Sequence, residues 1–317
     1  MRQLNRPHWL CFLAVCFMSM GVVQAAVSAK TMPWPEDKKA ALTFTIDDGQ
    51  QSHAEILAPL FSSYDIPVTF YLIAGQVGKK DRPSWDTWKA LAKQGHEIGN
   101  HSWSHSDLTK IAPENLRKEI DQAQALIAEH IGVTPRSYAY PFCKFNDAVK
   151  TAVFAQHESA RAYHPLLEKA FNRAKATKRV QQGIAKGEWV VWLSHGMDPT
   201  VLEAHLSEDL APLRDDLWCA TFADAAAYQQ AVKNATWSVK EEGDVITLSL
   251  KMSADQNSAN GSLWVILTSD QVGDTAFAAT IQHIEGDFKA QLITADGQLA
   301  LQVPARDGAS ITLQQKP

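Results

Sequence analysis

From about residue 40 to residue 222 the chain alternates short apolar runs with stretches of helical period. The runs fall at 41–46, 68–73, 97–100, 137–141, 159–163, 189–193 and 218–222. Between them lie amphipathic stretches at 85–94, 113–131 and 201–214, with apolar residues spaced to form one face of a helix. The stretch from Pro113 starts well: Pro sits near the first turn, and Glu114 complements the helix dipole. Strands alternating with helices predict parallel β/α units rather than a sandwich. Seven such units are too many for a small open sheet and predict a barrel, complete or open. After a last helix at 223–233 the texture changes. Runs at 245–252, 263–268, 277–283, 288–294, 299–303 and 311–313 mostly alternate apolar with polar residues, and Asp296-Gly297 is a two-residue hairpin signal. The expected fold class is therefore α/β, a (β/α) barrel over 33–234, followed by a small all-β, sandwich-like domain over 236–317.

Composition adds exclusions. The 317 residues are 45% hydrophobic and 21% charged, with a formal net charge of -5 and no long basic run, so nothing attracts nucleic acid or an anionic membrane surface. Arg2 and Arg6 precede an uncharged apolar run at 9–23, and Val23-Gln24-Ala25-Ala26 follows as a small-residue cleavage site. That run falls short of the roughly 20 residues a spanning helix needs. Residues 1–26 are thus expected to be a cleaved signal peptide, leaving no transmembrane segment and a secreted or periplasmic protein. A lipid anchor on Cys16 is disfavoured by Val15. Cleavage would leave Cys143 and Cys219, expected as free thiols whose spacing makes no metal site. The sequence leaves the oligomeric state open.

The polar residues of interest follow the expected strands, and the carboxyl ends of strands are where β/α barrels place active sites. Asp47-Asp48-Gly49 follows the first run; as an isolated motif it reads first as a strand-ending turn. Adjacent side chains on an extended segment point different ways. One carboxylate can therefore bind a cation while its neighbour faces a water. His101 and His105 follow the third run, four residues apart, a spacing that brings two imidazoles to one face of a turn. Two imidazoles, one carboxylate and an open position make a catalytic zinc set rather than a closed structural one. His195 ends the sixth run, where a general acid could reach a leaving group. His96, at a strand start, reads as structural.

Together these segments resemble the NodB-type polysaccharide deacetylases, the fourth carbohydrate esterase family, over about 40–228. Thr43-Phe44-Thr45-Ile46-Asp47-Asp48-Gly49 is similar to the family's opening motif. Gly95 to His105 resembles the second, ending in the metal-binding H-S/T-x-x-H, and Leu193-Ser194-His195-Gly196 resembles the late motif. The resemblance implies a distorted seven-stranded barrel and a divalent metal, zinc in first place with cobalt or nickel as alternatives. Asp48, His101 and His105 would hold it, Asp47 would be the base and His195 the acid. The backbone N–H of Phe142 would face the oxyanion, and Leu193 and Tyr140 would line the pocket. Trp103, between the metal histidines, is a candidate cleft wall; Trp85 and Trp88 at helical spacing read as core.

Two departures from the family pattern stand out. Ala139 occupies the place of the Arg that adjoins the catalytic base, and Arg136 lies three residues too early. Arg161, ending the fifth run, could supply a cation to Asp47 from another direction. The segment between Tyr163 and Trp189 shows no counterpart of the Asp-x-x-Trp motif that orients the catalytic His. The expected function is removal of acetyl groups from a poly- or oligosaccharide, N-acetyl ahead of O-acetyl. The alternatives are a carbohydrate-binding protein without turnover and an amidase acting on a non-sugar C–N bond. The C-terminal domain, with Trp237 and Trp264 but no aromatic platform, reads as structural or docking.

Overall fold

The computed structural model describes residues 27–253, 261–270 and 273–315. The expected signal peptide lies outside the described residues. No helix among them is long and apolar enough to cross a membrane.

Seven parallel strands form the larger sheet: β2 (Ala40–Asp47), β3 (Val68–Leu72), β4 (Glu97–Asn100), β5 (Ser137–Ala139), β6 (Ser159–Arg161), β7 (Trp189–Ser194) and β8 (Leu217–Cys219). Their order is β6-β5-β4-β3-β2-β7, with β8 also on β2. Among the described residues no ladder joins β6 to β7, so the barrel is open. Every residue of β2 and β3 is buried. Such wholly buried strands are what a parallel sheet covered on both faces demands. The helix from Trp85 to Lys93 is capped by the Ser84 side chain, which accepts the Thr87 N–H, and buries Trp88 in the barrel core.

The C-terminal strands are β9 (Ala235–Glu242), β10 (Val245–Met252), β11 (Ser262–Ser269), β12 (Ile281–Gly286), β13 (Ala290–Ile293), β14 (Leu299–Pro304) and β15 (Ser310–Gln315). With β1 (Val27–Thr31) they make two four-stranded antiparallel sheets, ordered β1-β11-β14-β13 and β12-β15-β10-β9. Three elements differ from the sequence reading. The run at 277–283 begins in a helix, Asp274–Thr280, because Phe277 is fully buried from a helical turn entered at Gly273, whose φ is 76°. The strand proper starts only at Ile281. The strand β9 was not expected, since its second half, Lys-Glu-Glu, has no apolar alternation; it is a sheet edge, where charge is tolerated. The segment β1 precedes the barrel in sequence but pairs antiparallel with β11, Val27 opposite Ser269 through Thr31 opposite Val265. Trp34, Tyr228 and Trp264 join one buried cluster across the boundary of the two regions. Cys143 and Cys219 are both free.

Candidate active site

Asp47 is the last residue of β2 and is buried, whereas Asp48 turns out of the strand with φ 78°. Gly49 follows at φ 63°, and a Cβ there would lie 2.7 Å from a Leu72 methyl, so only glycine closes this turn. Arg82 donates to the Asp48 carbonyl and ties the loop down. At the end of β4 the His101 N–H reaches the Leu72 carbonyl at 2.9 Å. Its Nδ1 lies 2.8 Å from the Ala139 carbonyl. A ring that donates from Nδ1 presents the Nε2 lone pair outward, the usual second contact of a metal-binding histidine. The Ser102 hydroxyl accepts the His105 N–H at 2.9 Å. Ser102 and His105 both have positive φ, 67° and 59°. Left-handed non-glycine residues cost about 1–3 kcal/mol apiece and persist where surroundings enforce them.

The result is convergence. Asp48 Oδ1 lies 3.8 Å from both His101 Nε2 and His105 Nε2, and all three ligand atoms fall within 4.8 Å of one another. Tetrahedral ligands at zinc bond lengths of about 2.0–2.2 Å stand roughly 3.3–3.6 Å apart. The cluster is slightly wider, and a small inward shift of its side chains would let the three residues share one cation. Burial lowers the His101 pKa, helped by Arg161 and His105, which favours the neutral, ligating imidazole.

Beside the cluster, Asp47 Oδ2 sits 3.7 Å from His101 Nε2 and accepts a hydrogen bond from Arg161 Nη2. Arg161 is 0% exposed and lies over the Tyr71 ring, 5.2 Å from its centroid. Asp47 Oδ1 is buried with no hydrogen-bond partner among the described residues. Arg136, by contrast, points away and pairs with Glu158 at 3.0 Å and Asp224 at 2.6 Å.

His195, at the end of β7, has a partner that no motif announced. Its Nδ1 is 2.8 Å from Glu168 Oε1. The segment carrying Glu168 is pinned to β7 by the Leu167 N–H on the Leu193 carbonyl, 2.9 Å, and the Leu193 N–H on the Pro165 carbonyl, 3.1 Å. Burial alone would lower the His195 pKa. The Glu168 hydrogen bond and the charges of Asp47, Glu168 and Asp48 outweigh it, and the pKa is raised. The His195 carbonyl is held by His53 Nε2 at 3.0 Å, a second residue outside the expected set.

The remaining expected residues fall as follows. Phe142 has φ 56°, and its exposed ring meets the His105 ring edge-on at 4.6 Å between centroids. Leu193 is buried within β7. Tyr140 is buried against Tyr138 and Phe145, and burial pushes its pKa up to about 12. Trp103 packs on the barrel core, its carbonyl taking the Gly75 N–H at 2.9 Å and Lys118 lying over its ring. His96 bonds Ser62 and the Val68 N–H inside the fold.

Residues 35–158, a little over a third of the chain, match the family model described as polysaccharide deacetylase. It is 30% identical to the peptidoglycan-N-acetylmuramic acid deacetylase PdaC of Bacillus subtilis over 37% of this chain and 24% of that one. It is 35% identical to a chitooligosaccharide deacetylase of Rhizobium leguminosarum bv. trifolii over 29% of this chain and 40% of that one. The chain thus spans well under two thirds of the curated relatives it matches. A crystal structure described as a candidate polysaccharide deacetylase from Mycobacterium smegmatis superposes with TM-score 0.52 at 17% identity, over 67% of this chain and 98% of that one. That likeness concerns the fold.

Proposed function

We propose that this protein is a metal-dependent hydrolase that removes acetyl groups from an acetylated poly- or oligosaccharide, acting outside the cytoplasm as the 1–26 pattern implies. The observation that carries the reading is the meeting of Asp48, His101 and His105 beside an Arg-paired Asp47 and a Glu-paired His195 at the carboxyl ends of parallel strands. When bound, a divalent cation supplies Lewis-acid chemistry, lowering the pKa of water and polarising a carbonyl. Two imidazoles, one carboxylate and an open position suit zinc, and cobalt or nickel tolerate the same donors.

The chain's own groups divide the proton work. Asp47, held by Arg161, accepts the proton of the attacking water through its unpartnered Oδ1. The Phe142 N–H faces the oxyanion that develops on the acetyl oxygen. His195, oriented through Nδ1 by Glu168, gives a proton from Nε2 to the departing group. An amine cannot leave as an anion, so a dedicated acid favours N-acetyl over O-acetyl substrates.

The test is acetate release from a panel of N- and O-acetylated glycans, with Asp47→Asn as an inactive control that keeps its metal. Release abolished by a chelator and restored by zinc is the expected outcome. Glycan binding without release from any substrate would leave a carbohydrate-binding protein, and release from non-sugar amides alone would make it an amidase.

A further inference from the structure

The helix opposite the metal loop is not regular. Between helical turns at Pro113–Arg117 and Ala123–Ile131, residues Lys118–Gln122 form a π-helical stretch. Such widenings are rare and redirect backbone groups out of the helix ladder. Here the redirected groups meet the segment between the two histidines. The Glu119 carbonyl accepts the Trp103 N–H at 3.0 Å. The Ile120 carbonyl accepts the Asn100 side-chain amide at 3.1 Å, while Asn100 Oδ1 takes the Ser102 N–H at 2.9 Å.

The Glu119 side chain completes the grip. It is buried, and its two oxygens divide between two donors of one residue: the Ser104 N–H to Oε2 at 2.9 Å and the Ser104 hydroxyl to Oε1 at 2.7 Å. Ser104 precedes His105, whose backbone is left-handed. A charged acceptor on two donors one residue away is the kind of restraint that can hold such a backbone in place.

We propose that Glu119 is a positioning residue for the metal site: its carboxylate fixes Ser104 and thereby delivers His105 opposite His101 and Asp48. The role rests on the reading that those three residues hold a divalent cation. It predicts a graded loss of metal affinity as Ser104 loses acceptors. Glu119→Gln keeps one good acceptor and Glu119→Ala none.

The experiment measures binding of Zn²⁺ alone to the full chain, by competition with a chromogenic chelator below the melting temperature of every variant. Glu119→Ala is expected to weaken zinc binding by about 10- to 100-fold, the range for partners that orient ligands, with Glu119→Gln between it and the unaltered chain. Glu97→Gln controls for general loss of a hydrogen-bonded, half-buried carboxylate, because Glu97 bonds Thr69, Ser137 and the Ala223 N–H at the start of β4, away from the cluster. It is expected to keep its zinc affinity. Should Glu119→Ala fail to fold, Ser104→Ala removes the hydroxyl half of the contact, with Ser106→Ala as the control for the Ser104–Ser106 hydroxyl pair lost along with it, and is expected to weaken zinc less, but measurably. Unaltered zinc affinity in folded Glu119→Ala, or in Ser104→Ala where that variant must stand in, overturns the role. If the unaltered chain takes up no zinc, it is the metal reading itself that has failed.

Discussion

Glu168 Oε1 lies 2.8 Å from Nδ1 of His195, and the two side chains are partly exposed together at the mouth of the barrel. A carboxylate on Nδ1 holds a proton there and leaves Nε2 to exchange protons with a substrate. It also stabilises the imidazolium, against the burial that would lower the pKa, so the acid form of His195 persists to higher pH than in an ordinary histidine. Activity that needs this acid is present below the raised pKa and lost as pH rises through it. Glu168→Gln removes the charge, so the alkaline limb of kcat/KM is expected to move to lower pH. Turnover should fall by some part of the roughly 10²–10⁴-fold that a general acid supplies. An alkaline limb identical to that of the unaltered chain would remove Glu168 from the role.

Arg161 and Asp47 form a fully buried ion pair, and Tyr71 lies beneath the guanidinium. Breaking such a pair from one side leaves an uncompensated charge and costs about 3–5 kcal/mol. Arg161→Met is therefore expected to lower both the urea midpoint and turnover. Arg161→Lys should recover little, since an ammonium lacks the planar fork that bonds Asp47 Oδ2 and the Ala162 carbonyl together. Unchanged turnover and unchanged unfolding in Arg161→Met would show that Asp47 needs no cation from this strand.

Most of the seven parallel strands were legible as short apolar runs between helical periods, while β4 (Glu-Ile-Gly-Asn) and β6 (Ser-Ala-Arg) were legible only by their place in the alternation. Asp48, His101 and His105 were legible because chemistry, spacing and strand ends coincide. Glu168 was not: it sits in an irregular segment without period, and only backbone bonds to Leu193, distant in sequence, carry it to His195. His53 was hidden by lying on a helical stretch after the first motif, where nothing in the pattern distinguishes a buried polar contact from a surface one. Glu119 looked like an ordinary helix position, since a π-helical widening leaves no mark in the hydrophobic period. The helix at Asp274–Thr280 was misread because Phe277-Ala278 fits the start of a strand as well as the buried side of one helical turn.

The pairing of β1 with β11 makes residues ahead of the barrel part of the C-terminal sheet. The Thr31 hydroxyl takes the Trp237 indole N–H at 3.0 Å, and the Met32 carbonyl takes the Tyr228 hydroxyl at 3.0 Å. A chain beginning at residue 33 would lose the buried side chains of Val27 and Met32, each worth about 1.5–3 kcal/mol, and bare β11 as an edge. Compared with a chain beginning at residue 27, it is expected to melt earlier and to associate as concentration rises. Thermal melts with light scattering decide this, and coincident melts without association would make β1 dispensable.

Zinc should stabilise the folded chain by mass action, because the three ligands converge only when the ends of β2 and β4 are in place. A ligand that binds only the folded state adds about 2.7 kcal/mol at 100 times its Kd. Neutral imidazole is the ligating form, and burial already lowers the His101 pKa, so the stabilisation is expected to hold at neutral pH and to shrink as pH falls far enough to protonate the histidines. His105→Ala should lose most of the shift, and Asp48→Asn should weaken it, while Asp47→Asn should keep it, since Asp47 pairs with Arg161 and is not one of the three clustered residues. Differential scanning calorimetry with and without zinc separates these variants. A shift that survives His105→Ala but vanishes in Asp47→Asn would move the cation off the proposed cluster and onto the buried pair of Asp47 and His101.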